Sequence, residues 1–202
     1  MQRYEIGIDE AGRGPLAGPV SVGVACVPIN FDWNQIAGVN DSKKLTEKKR
    51  EEIYKIAYRL RKEGVIDWSV SMGNAKQIDE QGIVPTIKHS INLAINRVIS
   101  QQIKYDQYCV LLDGGLKAPE KFINQETIIK GDSKEKVIGL ASIVAKVTRD
   151  RYMVRKATES LYAPYDFATH KGYGTKSHRE AIAKHGLSPL HRRSYCRNIK
   201  VL

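Results

Sequence analysis

Four acidic residues of this 202-residue chain stand where strand-like apolar runs give out. Asp9 and Glu10 follow the run Tyr4–Ile8, and Asp113 follows Cys109-Val110-Leu111-Leu112 and precedes two glycines. Asp132 stands in Lys130-Gly131-Asp132, just past Thr127–Ile129. Open α/β sheets present their sites at strand ends, so acids placed there can converge. Converging carboxylates repel one another and resist ionisation unless cations lie between them. Oxygen donors without His or Cys favour a hard ion, Mg²⁺ or Mn²⁺. Two such ions about 4 Å apart suit phosphodiester hydrolysis, one activating water and the other stabilising the leaving 3′ oxygen. Taken singly, an acid after a strand also caps a helix or makes a turn. Four in contexts this apolar point to a site.

The elements that must position these acids follow from pattern. Tyr4–Asp9 reads as a strand with Ile6 and Ile8 on one side. After the turn-rich Ala11-Gly12-Arg13-Gly14-Pro15, Val20–Val27 is nearly continuous in apolar residues, as in a strand buried on both faces. Thr46 caps a helix running to about Glu63, with Ile53, Ile56, Ala57 and Leu60 as its stripe and Gly64 as its stop. Val65–Met72 is a third strand. Pro85 and Thr86 open a helix that turns Ile87, Ile91, Ile95 and Val98 inward. Tyr108–Leu112 and Thr127–Ile129 are further strands, Lys136 to about Ser160 a long helix, and Lys176–His185 a shorter one ending at Gly186. Strands come first, then strands and helices alternate, and the last third is mainly helical. The expectation is a single α/β domain over 1–202 with a mixed sheet, residues 160–202 forming a basic helical segment.

Charge points to a partner. The chain carries 33 Lys and Arg against 22 Asp and Glu, a formal +11. From Phe167 onward there are eight basic residues and one acid, so this stretch holds +7 of that excess. Concentrated positive charge is the footprint of a polyanion binder. Cys26, Cys109 and Cys196 lie far apart, form no CxxC pair and fit no zinc spacing, which predicts reduced thiols in a reducing compartment. No run approaches the roughly 20 apolar residues of a membrane span. A cytoplasmic protein is expected.

The string Ile8-Asp9-Glu10-Ala11-Gly12-Arg13-Gly14-Pro15-Leu16-Ala17-Gly18-Pro19-Val20 closely resembles the N-terminal signature of the ribonuclease HII family. Further matches follow in the family's order: Asp41–Leu45, Leu112-Asp113-Gly114, Lys130-Gly131-Asp132, Ala141–Asp150, His170-Lys171-Gly172-Tyr173 and His191–Tyr195. The resemblance spans nearly the whole chain. It implies a ribonuclease H-like fold, with a five-stranded mixed sheet flanked by helices. It implies that Asp9, Glu10, Asp113 and Asp132 are the metal-binding catalytic acids for two Mg²⁺ or Mn²⁺ ions. The implied activity is endonucleolytic cutting of the RNA strand of RNA/DNA hybrids and incision 5′ of single ribonucleotides in duplex DNA, leaving 3′-hydroxyl and 5′-phosphate ends.

A ribonucleotide differs from its neighbours by a 2′-hydroxyl, and reading that group needs backbone that can approach closely. Gly12-Arg13-Gly14 offers such backbone. By resemblance this segment grips the 2′-hydroxyl and adjacent phosphate, Tyr173 stacks on the sugar 3′ of the ribonucleotide, and Lys43 contacts a phosphate near the cut. The remaining basic residues from Lys171 to Arg197 are expected to hold phosphates without reading sequence. Asp150, in a long helix among Lys146, Arg149 and Arg151, reads as an ion-paired structural acid rather than the fourth catalytic one. His170 is a candidate for orienting the site. A monomer without a tail for sliding-clamp binding is expected. Ribonuclease HIII, with its extra N-terminal domain, fits poorly because Met1 lies eight residues before Asp9. The reading from another class is a silent RNA/DNA-hybrid binding module, which could dispense with the acids.

Overall fold

The computed structural model describes residues 3–39 and 45–200. Five strands form one sheet in the order β3-β2-β1-β4-β5. They are β1 (Tyr4–Ala11), β2 (Val20–Pro28), β3 (Asp67–Gly73), β4 (Tyr108–Asp113) and β5 (Gln125–Ile128). β1–β2 and β2–β3 are antiparallel, whereas β1–β4 and β4–β5 are parallel, so the sheet is mixed. β2 is buried along nearly its whole length, as its unbroken apolar run requires.

Helices cover both faces. On one face, Ile6, Ile8, Val22 and Val24 pack against α3 (Ile83–Val98) through Ile87, Ile91 and Ile95. On the other, Ala25, Val27 and Trp68 meet α1 (Glu47–Lys62) and α5 (Lys136–Ala157). Thr46 caps α1, its side chain accepting from the Lys49 amide at 3.2 Å. Two glycines set how closely α5 approaches. A Cβ on Gly7 would lie 2.2 Å from the Val137 carbonyl oxygen, and one on Gly23 would lie 2.1 Å from that of Ala141.

Two short helices complete the alternation. α2 (Ala75–Gln81) is opened by a reciprocal capping box between Asn74 and Gln77, and α4 (Gly131–Lys134) is a single turn entered through Lys130 at φ 56°. Neither is apparent from periodicity. α3 begins at Ile83, ahead of Pro85, because proline within the first turn forfeits no helical hydrogen bond. The C-terminal part holds α6 (Phe167–His170), α7 (Lys176–His185) and short 3₁₀ turns. Its own apolar cluster includes Met153, Tyr165, Phe167 and Ile182, and it closes on Leu16 and Ala17 of the β1–β2 connection. The three cysteines are free thiols. Among the described residues no helix is long and apolar enough to cross a membrane.

Candidate active site

The parallel pairing of β1 and β4 sets Ile8 opposite Leu112, so the next residues, Asp9 and Asp113, stand side by side where that pairing ends. β5 places Ile128 opposite Asp113, and the chain then turns through Lys130 into α4, which delivers Asp132. Carboxylate oxygens of Asp9, Asp113 and Asp132 lie within 4.8 Å of one another. Asp113 is steadied by the Gly131 amide, which donates to its Oδ1 at 2.7 Å, and Asp9 accepts from the Glu10 amide at 2.7 Å. Ser142 of α5 donates its hydroxyl to Asp9 from behind.

Asp9 and Asp132 are almost wholly buried, at 3% and 4% exposure. Burial pushes the Asp9 carboxyl up to about 8, and the charges of Glu10 and Asp113 push the same way against the Ser142 and Glu10 hydrogen bonds. Glu10 is next to this triad without being part of its cluster of oxygens: its Oε1 accepts from Arg13 at 3.0 Å. Lys146, the ammonium lining the same cleft, is engaged by Asp150 at 2.8 Å. Oxygen-only donors gathered this closely fit a hard divalent cation. Asp150 has the ion-paired place its sequence context predicts.

Asp9, Glu10 and Asp113 open into a cleft of about 510 Å³ that Gly12, Arg13, Gly14 and Tyr173 also line, with Asp132 buried behind them in the same cluster of oxygens. The sequence-predicted reader segment, the aromatic and three of the four acids therefore share one space. Tyr173 is 42% exposed, and its ring lies 5.5 Å from Lys146 Nζ and 5.7 Å from the Arg149 guanidinium. Lys43 lies outside the described residues.

Two features escape sequence reasoning. Arg149 and Arg192 are fully buried, and each points its guanidinium at main-chain carbonyls. Arg149 donates to Pro19 (2.8 Å), Lys171 (3.0 Å) and Ala17 (3.1 Å). Arg192 donates to Gly18 (3.0 Å), Arg13 (2.8 Å) and Gly12 (2.6 Å). Arg192 is therefore an exception to the expected row of phosphate contacts, since a buried side chain satisfied by carbonyls cannot reach solvent-borne phosphate. Gly12 is needed where it is: φ is +84°, and a Cβ would lie 2.0 Å from Arg149 Nε.

The second feature is a buried histidine relay. His191 Nδ1 accepts the Ser188 amide at 2.9 Å, which leaves its Nε2 to donate to His178 Nε2 at 3.0 Å. His178 then donates from Nδ1 to the Tyr173 carbonyl at 2.9 Å. His170 stacks on His178 with centroids 4.3 Å apart; its Nδ1 accepts the Gly172 amide, and its Nε2 donates to the Tyr165 carbonyl. The three rings thus brace the backbone that carries Tyr173. A cluster of histidines in a helical segment would have been the available signal.

Known structures place the architecture in the class of type 2 ribonucleases H. Ribonuclease H2 from Pyrococcus horikoshii superposes with TM-score 0.70 at 25% identity, covering 98% of this chain and 97% of that one. A ribonuclease HII of Archaeoglobus fulgidus, solved in complex with PCNA, gives 0.70 at 26% identity over 94% and 93% of the two chains. A Bst ribonuclease HIII solved with Mn²⁺ shares the fold at 19% identity and TM-score 0.66. Within that class the chain belongs to the ribonuclease HII family, whose profile matches residues 6–198. It is 45% identical over 196 residues to ribonuclease HII of Clostridioides difficile, covering 97% of this chain and 71% of that protein. The match to ribonuclease HII of Caldicellulosiruptor bescii is also 45%, over 197 residues, 98% of this chain and 88% of the relative. The protein is accordingly a ribonuclease H, an endonuclease acting on nucleic acid, and its acidic cluster suits divalent-metal dependence.

Proposed function

We propose that Asp9, Glu10, Asp113 and Asp132 hold two divalent ions, Mg²⁺ or Mn²⁺, and that the chain incises 5′ of a ribonucleotide in duplex DNA as well as cutting RNA/DNA hybrids. The observation that carries this reading is three carboxylates gathered within 4.8 Å of one another, two of which, Asp9 and Asp113, line the cleft shared with Gly12–Gly14 and Tyr173. When bound, such a pair of ions supplies Lewis acidity for the attack of water and the departure of the 3′ oxygen. The chain supplies the rest. Asp9, Asp113 and Asp132 fix the donor positions, and Ser142 orients Asp9. Glu10 is the fourth donor, and Arg13, its present partner, is placed to exchange that carboxylate for a substrate phosphate. Gly12 and Gly14 let backbone approach the 2′-hydroxyl, and Tyr173 takes the sugar beside it. Lys43 serves a phosphate near the cut. The basic segment 160–202 and the sheet act as one catalytic unit, a cytoplasmic monomer.

The crowding of the acids favours an enzyme over a silent binding module, since hybrid binding alone has no use for buried, repelling carboxylates. The test is a duplex carrying one ribonucleotide, incubated with each metal and no other protein, with both product ends mapped. A single cut on the 5′ side with 3′-hydroxyl and 5′-phosphate ends is expected. Asp9→Asn and Asp113→Asn are expected to lose cutting while keeping hybrid binding. Either variant cutting at the wild-type rate sinks the reading.

A further inference from the structure

The turn after β1 is tied down by a residue from the far end of the chain. The Arg192 guanidinium is fully buried and donates to the carbonyls of Gly12 at 2.6 Å, Arg13 at 2.8 Å and Gly18 at 3.0 Å. All described peptides are trans, and in a trans peptide the N–H points opposite to the C=O. Holding the Gly12 carbonyl inward therefore turns the Arg13 amide outward, and holding that of Arg13 turns out the Gly14 amide. Gly12, Arg13 and Gly14 all line the cleft. Neither amide donates to an acceptor among the described residues. Two adjacent donors are left facing the space where a substrate oxygen would lie, and Pro15 ends the run because it has no N–H.

Arg192 is itself held in place. Its own amide donates to the Leu16 carbonyl at 2.8 Å, and the Gly18 amide returns a bond to Leu190 at 2.8 Å. Beyond it, Asp79 of α2 accepts from the amides of Arg193 (2.8 Å) and Ser194 (2.9 Å). The strap 190–194 thus runs from α2 to the turn, with the guanidinium at its middle. Its charge is not offset by a carboxylate at hydrogen-bond distance among the described residues. A cation behind two peptides polarises them and strengthens their N–H donors on the opposite side.

We propose that Arg192 is the positioning residue of ribonucleotide selection: it fixes and polarises the Arg13 and Gly14 amides that meet the 2′-hydroxyl. This rests on the reading of Gly12–Gly14 as the substrate-contacting turn. Its neighbour Arg193 is exposed and serves as the matched control, because it has the same charge without the clamp.

The experiment measures equilibrium binding, with Ca²⁺ in place of the catalytic ion, of two duplexes of one sequence: one with a single ribonucleotide and one all-deoxy. The readout is the ratio of the two dissociation constants, which loss of folded protein leaves unchanged. The wild type is expected to prefer the ribonucleotide duplex. Arg192→Lys and Arg192→Met are expected to shrink that preference by at least about fivefold, the loss of one well-placed hydrogen bond, with the all-deoxy constant little changed. Arg193→Met is expected to weaken both duplexes in parallel. If Arg192→Met does not fold, Asp79→Ala, which loosens the strap while keeping the guanidinium, is expected to reduce the ratio in the same direction. Folded Arg192 variants that keep the full preference overturn the role of Arg192 and leave the turn's reading intact. A wild type without preference for the ribonucleotide overturns the turn's reading and this inference together.

Discussion

At the scale of single residues, the same burial acts in opposite directions on acids and histidines. Asp9 is pushed up to about 8, so the metal-free fold holds a proton at neutral pH that the unfolded chain, with the ordinary value of 3.8, has released. The metal-free protein therefore loses stability as pH rises from about 4 to 8 through this group. A cation needs the carboxylate, so its binding must expel that proton, and its affinity rises with pH up to about 8. Calorimetry of Mg²⁺ binding at pH 7 in buffers of different ionisation heats should report proton release; heats independent of buffer would refute it. His178 and His191 are pushed down from 6.5 to about 4, chiefly by burial. Between those values the unfolded chain binds protons that the fold refuses, so stability falls as pH drops from 6.5 towards 4. The loss is on the order of 3 kcal/mol for each histidine. Urea midpoints across that window should fall, and His178→Gln should flatten the fall; an equally steep profile in the variant would exclude the relay as its source. Asp79, held below its ordinary value by Ser194 and Arg193 despite some burial, loses its contribution only at more acid pH, which separates the two effects.

The acids were legible in the sequence because a carboxylate after an apolar run is conspicuous. Arg149 and Arg192 were not, since arginine in a basic stretch reads as a solvated surface. What buries Arg192 is carbonyls some 180 positions earlier, and no local pattern carries that information.

At the scale of elements, the strongly periodic pieces were readable: α1 from its cap and stripe, α5 and α7 from their length and stops, β2 from its continuous apolar run. The weak edge strand was offset, expected at Thr127–Ile129 and found at Gln125–Ile128, because only partly buried positions mark it. The single turn of α4 is fixed by left-handed Lys130 and a tertiary contact rather than by propensity. A close element contact lies between α5 and the sheet. Gly23→Ala puts a methyl 2.1 Å from the Ala141 carbonyl oxygen, and overpacking of this kind typically costs about 1–3 kcal/mol. Since Ser142, the group behind Asp9, is the next residue on α5, the substitution should lower both the melting temperature and the cleavage rate. A variant with unchanged melting temperature would show that α5 shifts freely.

At the scale of the whole molecule, the strap ties the C-terminal part to the turn that follows β1, next to the ends of the parallel strands. Beside the cleft, a groove that also includes Arg13 is bordered by Lys88 of α3 and Lys117. A duplex seated across both would meet these ammonium groups along its backbone. Lys88→Ala and Lys117→Ala should each flatten the slope of log affinity against log salt by about 1, equally for hybrid and single-ribonucleotide duplexes. Slopes equal to the wild type in both variants would move the duplex path elsewhere.

The hydrogen bonds between Arg192 and the Gly12–Arg13 turn also impose an order on biosynthesis. On the ribosome, the three aspartates emerge well before the strap that sets the turn. A nascent chain can pair β1 with β2 early, yet the hydrogen bonds that hold this turn form only after the strap 190–194 has followed. Assembly of this turn therefore waits on a segment made some 180 positions later.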